Sequence, residues 1–106
     1  ANEENPQPGA EESYMQDLLE GVVSHKAELD EIIEQNSKGW KKNRLSKTAI
    51  AVLRVALYEI LYREDVGHGT SINEAVELLK KYDTEETARF VNGLLGGFIK
   101  SREGKE

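Results

Sequence analysis

A compact all-α bundle of four main helices is the fold this sequence predicts, and three observations carry it. Apolar residues recur at three- and four-residue steps through most of the chain, residues suited to helix caps stand at the starts of these runs, and no β-type alternation of useful length occurs. The 106 residues make one domain by size, with only a modest core to bury. No internal repeat interrupts the reading.

Ala1 to Ala10 carries both prolines, Pro6 and Pro8, and no apolar anchor, so residues 1–11 are expected to be a disordered leader before a helical domain at 12–100. From Glu12 onward Tyr14, Leu18, Val22, His25, Leu29, Ile32 and Ile33 share one stripe, which predicts a single long first helix ending near Asn36. Gly21 inside it costs about 1 kcal/mol against Ala, a loss that a close helix contact would offset. Ser46 is a suitable N-cap for a second helix running to about Arg63, with Ile50, Leu53, Leu57, Ile60 and Leu61 inward. Asp65 to Thr70, containing Gly67 and Gly69, reads as a loop, and Ser71 with Glu74 as the capping box of a third helix whose core positions are Ala75, Leu78 and Leu79. Thr84 caps the fourth, with Glu85 and Glu86 in its first turn and Phe90, Val91, Leu94, Leu95 and Phe98 inward. Gly93, Gly96 and Gly97 keep helical spacing and follow no strand, so they read as sites of close helix packing rather than as a phosphate loop. Residues 101–106 are expected to be a flexible tail.

Charged residues make up 32% of the chain and hydrophobic ones 38%, and the net charge of -6 argues against indiscriminate binding to a polyanion. Any nucleic-acid site must be local. Without cysteine there is neither a disulfide framework nor a thiolate metal site, and His25 and His68 are too few for a histidine-rich one. No apolar run approaches the roughly 20 residues that cross a bilayer, and the N-terminus lacks the pattern of a signal peptide, so a soluble, cytoplasmic protein is expected. No nucleophile is paired with a base, and neither a metal cluster nor a phosphate cradle is evident. The chain reads as a non-enzyme without a cofactor. His25 fits a hydrogen-bonded boundary position, and His68, between two glycines, fits a solvated turn.

Three groups of residues remain as binding candidates. Lys38, Lys41, Lys42, Arg44 and Lys47 form a basic run around Trp40, offering the charge and stacking surface that single-stranded nucleic acid uses. Its plainer reading is a lysine-rich linker with Trp40 folded onto the core. Arg89, Lys100, Arg102 and Lys105 form a second basic set near the C-terminus, which also reads as a solvated helix end. Arg54, Tyr58 and Glu59 lie together on the second helix, either facing a partner or serving the fold through an acidic neighbour of Arg54 and a bonded Tyr58 hydroxyl. Taken alone, these residues define a helical interaction module.

Three blocks go further: Leu53-Arg54-Val55-Ala56-Leu57-Tyr58-Glu59, Ile72-Asn73-Glu74-Ala75-Val76-Glu77-Leu78 and Phe90-Val91-Asn92-Gly93-Leu94-Leu95. In this order and spacing they resemble the C-terminal part of the NusB family of bacterial transcription antitermination factors, over roughly Tyr14 to Ile99. The resemblance implies an all-helical fold that binds boxA-type single-stranded RNA of ribosomal transcripts together with the ribosomal protein NusE, within the RNA polymerase antitermination complex. By position, it implies that Arg54, Tyr58 and Glu59 face NusE, with Glu59 the sharpest probe, and that Glu86, Arg89, Phe90 and Asn92 border the RNA. Two further readings stay open: the NusB-like RNA-binding domain attached to ribosomal RNA cytosine methyltransferases, and a helical scaffold that binds only protein. Members of the family begin with an arginine-rich helical region that has no counterpart here, and a glycine, Gly67, replaces the usual loop proline. An N-terminally truncated bundle is therefore expected, with weak RNA binding. It should also expose an apolar strip at Tyr14, Leu18, Val22 and Leu29 that favours a homodimer.

Overall fold

A computed structural model of the chain describes residues 8–37 and 45–103, with side chains from residue 12 onward. Five helices follow one another: α1 (Pro8–Ser24), α2 (Lys26–Gln35), α3 (Lys47–Tyr62), α4 (His68–Tyr82) and α5 (Glu85–Glu103). No strand occurs among the described residues. Residues 1–7 of the expected leader, the basic run from Lys38 to Arg44 with Trp40, and Lys105 all lie outside the described residues.

The long first helix of the sequence reading is two helices with a bend between them. His25 leaves helical geometry at φ -108° and ψ 18°, yet its N–H donates to the Gly21 carbonyl and its carbonyl accepts from Leu29 N–H, each at 2.9 Å. The chain turns without losing its hydrogen bonds. Stacking accompanies the bend, since the His25 ring lies 4.3 Å from that of Tyr62. At the start of the chain, α1 begins at Pro8, inside the stretch expected to be leader, because proline is preset for the first helical position and has no N–H to leave unpaired. At the other end, α5 reaches Glu103, beyond the expected start of the tail.

Helix α3 is the centre of the bundle and touches each of the other four. Its Leu53 and Leu57 are sealed from solvent, together with Leu29 and Ile33 of α2, Leu79 of α4 and Val91 and Leu95 of α5. Each such side chain contributes about 1.5–3 kcal/mol by leaving water. Ser46 caps α3 as expected, its Oγ accepting from Ala49 N–H at 2.9 Å. The same hydroxyl donates to Asp83, which closes α4, so the start of one helix is tied to the end of the next. Thr84 caps α5 through Thr87 N–H at 3.0 Å.

Three details of the sequence reading are corrected. First, α4 starts at His68 with Gly67 as its N-cap and no capping side chain; Ser71 lies a turn inside, 1% exposed, and its hydroxyl donates to Glu59 instead of closing a box. Second, Leu78 is 46% exposed while Ala75 and Leu79 are buried. Third, Gly93, Gly96 and Gly97 face open space, with no atom near where a Cβ would stand. The glycine that permits close packing is Gly21, where a Cβ would overlap the ring of Tyr58.

Candidate functional site

Two surfaces carry the residues singled out by sequence. The first is one face of α5. Arg89 is exposed and Phe90 half-buried, and both line a shallow depression with Gly93, Gly97 and, from the end of α2, Gln35 and Asn36. The Asn36 amide donates to the Ile32 carbonyl at 2.9 Å, which fixes that rim. Lys100 follows Arg89 by three helical turns, so it stands on the same stripe with the two glycines between them. The result is a strip of uncovered helix backbone with a cation at each end and an aromatic edge beside it. Such a strip lets a nucleic-acid backbone come close, with guanidinium and ammonium groups for phosphates and a ring edge for a base. Ser37 closes the described part of α2's end, and Lys38, the first cation of the basic run, follows it directly in sequence.

Not all of the four RNA-side residues meet there. Glu86 is exposed one turn before the depression, where the helix dipole favours its charge. Asn92 is exposed but does not line the depression. Sequence reading missed Gln35, Asn36, Gly93 and Gly97 as parts of this surface. Only the helical spacing from Arg89 to Gly93 and Gly97 could have signalled the last two, because the α2 rim arrives through tertiary packing.

The second surface is the α3 helix with Arg54, Tyr58 and Glu59, and here the chain uses their polar groups internally. Arg54 grips Asp30 of α2 with two parallel bonds, Nε to Oδ1 at 2.8 Å and Nη2 to Oδ2 at 3.0 Å. Tyr58 packs its ring on Gly21 and donates its hydroxyl to Asp17 at 3.2 Å. Glu59, 6% exposed, accepts from Tyr14 at 2.5 Å and from Ser71 at 2.9 Å. A charge reversal at Glu59 would therefore disturb the fold before it reported on any partner.

These contacts belong to a longer seam of tyrosine–carboxylate bonds between α1–α2 and α3. Tyr14 reaches Glu59, Tyr58 reaches Asp17, and Tyr62 donates to Glu28 at 2.7 Å. Arg63 joins Asp17 to Asp65, each at 2.9 Å, and lies over the ring of Tyr14 at 4.5 Å. Burial, followed by the bond to Glu59, pushes the Tyr14 hydroxyl well above its ordinary value. Burial and Asp17 do the same to Tyr58, and at Tyr62 the bond to Glu28 is the larger cause. The Arg63 guanidinium holds Asp65 below the usual carboxylate range, and the Ser46 hydroxyl does so for Asp83. His25 is a boundary residue, its Nδ1 3.3 Å from Glu28.

Among the described residues no three histidine or carboxylate side chains converge as metal ligands, and no helix is long and apolar enough to cross a membrane. Fold and surface together define a small all-α module with a glycine-lined, cation-flanked face on its last helix. The NusB family model matches residues 1–100, and the chain belongs to the NusB family. Three relatives, each named transcription antitermination protein NusB, illustrate the likeness. The protein of Agathobacter rectalis is 45% identical over 98 residues, which cover 92% of this chain and 75% of the relative. That of Acetivibrio thermocellus is 45% identical over 97 residues, covering 88% and 67%. The Ruminiclostridium cellulolyticum protein is 52% identical over 82 residues, covering 77% and 57%.

Proposed function

We propose that this chain is a transcription antitermination factor that binds boxA-type single-stranded RNA on the α5 face and the ribosomal protein NusE on a separate face ordered by α3. The relatives' shared name supports the role. The observation that carries the RNA surface is the depression of Arg89, Phe90, Gly93 and Gly97 beside the end of α2, from which the Lys38 to Arg44 segment continues in sequence. The mechanism is tethering: RNA held by the module and the module held by NusE keep the transcript on the elongating polymerase. Arg54, Tyr58 and Glu59 serve the partner face by positioning, since they fix α3 against α1, α2 and α4. The protein would act in the bacterial cytoplasm, with no cofactor and no catalysis.

The test is a titration with boxA RNA, comparing the chain with Arg89→Glu at several salt concentrations. Arg89 is exposed, so circular dichroism should show an unchanged fold, while affinity falls and the salt slope drops by about one. Unchanged affinity and slope would remove the α5 face as the RNA surface. Calorimetry with NusE, run on the same preparations, should give equal heats for both proteins; loss of NusE binding with Arg89→Glu would merge the two faces into one.

A further inference from the structure

The RNA and NusE reading leaves one apolar surface unused, on the outer side of α1. Met15, Leu19 and Val23 recur there every four residues and are 54%, 63% and 75% exposed. The apolar strip expected from sequence is a different one: Leu18 and Leu29 are buried, and Tyr14 and Val22 are half-buried against the core. The packed side of α1 is fixed by Leu18, by Gly21 under the Tyr58 ring and by Asp17, which reaches Arg63. Leu19 stands about 100° or more around the helix from all three. The exposed row therefore looks away from the bundle, where another molecule can reach it.

Its two ends carry opposite charges. Glu12 precedes Leu19 by seven residues and Lys26 follows it by seven, two helical turns in each direction, and both are exposed. The bend at His25 keeps the hydrogen bonds between Gly21 and Leu29, so Lys26 stays at the end of the row. An acid, three apolar side chains and a base in line are complementary to the same line reversed. With a twofold axis through Leu19, Leu19 meets Leu19, Met15 meets Val23, and Glu12 of each copy meets Lys26 of the other. A parallel arrangement would instead set Glu12 on Glu12 and Lys26 on Lys26, which like-charge contact disfavours.

The other charges near α1 do not compete for this pairing. Glu20 lies off the row and accepts from Gln16 at 2.9 Å, and Arg63 is held by Asp17 and Asp65 on the packed side. An anionic membrane surface would meet Glu12 and Glu20 beside the apolar side chains and be repelled. We propose that the outer face of α1 is a docking surface for a second copy of this chain, giving an antiparallel α1–α1 homodimer. Three apolar residues from each copy make a patch at the low end of interface sizes, so the dimer forms and comes apart with concentration.

Sedimentation equilibrium of the full chain at low salt, from about 5 to about 500 micromolar, should show the mean mass rising toward twice that of one chain. Glu12→Lys and Lys26→Glu, each alone, should weaken association about tenfold. An equimolar mixture of the two should associate more tightly than either, because only the mixed dimer pairs unlike charges at both ends. Leu19→Ser, at an exposed position, should abolish association with the helix content unchanged in circular dichroism. A constant mass across the whole range would overturn the proposal, as would a dimer that survives Leu19→Ser or a mixture no tighter than its components. So would binding to phosphatidylglycerol vesicles that Leu19→Ser removes, because the occupant would then be a lipid surface. None of these readouts involves RNA or NusE, so the result stands apart from the antitermination reading.

Discussion

Gly21 and Gly96 are the same residue type in helix interiors, and the structure gives them opposite fates on substitution. Gly21→Ala gains helix propensity but drives a methyl into the Tyr58 ring, and overpacking of this kind costs about 1–3 kcal/mol. The ring cannot withdraw without giving up its bond to Asp17. Gly96→Ala meets nothing and should stabilise by about 0.5–1 kcal/mol. Urea unfolding of the two variants should therefore move in opposite directions, and a stabilised Gly21→Ala would show that α1 does not sit on Tyr58. Half of this was legible beforehand: a glycine inside the strong apolar pattern of α1 asked for a close neighbour. The openness around Gly93, Gly96 and Gly97 was not, because their absent side chains look the same in sequence whether a helix or solvent lies opposite. Glu59 taught the same lesson for charge. Its block identified the helix, but burial against Tyr14 and Ser71, 45 and 12 residues away, depends on packing that no local pattern encodes.

Among the elements, the helices with strong periodicity and a capping side chain were readable from the chain. Ser46 and Thr84 start α3 and α5 as their spacing demanded. The start of α4 was misread because Ser71 has the right chemistry for a cap and spends it on Glu59. The bend at His25 left no signal, since neither proline nor glycine marks it. Beside the apolar packing of Leu18, Leu29 and Ile33 and the Arg54–Asp30 pair, the tyrosine seam ties α1–α2 to α3, and its protons set a pH window. Tyr14, Tyr58 and Tyr62 all hold their protons above the ordinary value of 10.0 in the folded chain. A raised folded value means that the neutral phenol favours folding, so this stabilisation is complete below pH 10 and fades as the tyrosines ionise above it. Asp65 and Asp83 lie below 3.8; their contribution is present above that value and is lost as the pH falls through the lower, folded one. Melting temperatures measured across pH should form a plateau that drops at both ends. On the alkaline side, tyrosinate absorbance should rise together with the loss of helix. Phenolate appearing well before unfolding would detach the seam from stability.

For the whole molecule, the net charge of -6 limits how it can hold RNA. On the proposed RNA reading, Arg89 and Lys100 on α5 and the cations in the 38–44 sequence would neutralise only a few phosphates. Counterion release then gives a log–log salt slope of roughly -1 to -3 for single-stranded RNA, and a much steeper one would require a basic surface elsewhere. The bend at His25 has a separate consequence. It divides the N-terminal arm into α2, whose Leu29 and Ile33 are sealed in the core, and α1, which buries Leu18, rests Gly21 under the Tyr58 ring, packs Tyr14 and Val22 only partly against the core and adds side-chain hydrogen bonds. These two parts need not open together. Local opening with little apolar exposure takes less free energy than global unfolding, so amide deuteration should run quickly along α1 as a block and slowly in α2, with a step at residue 25. Protection that declines smoothly from 35 to 8 would mean that the arm opens by fraying. A sharp step would make the bend a hinge about which the first helix swings clear while the bundle stays folded.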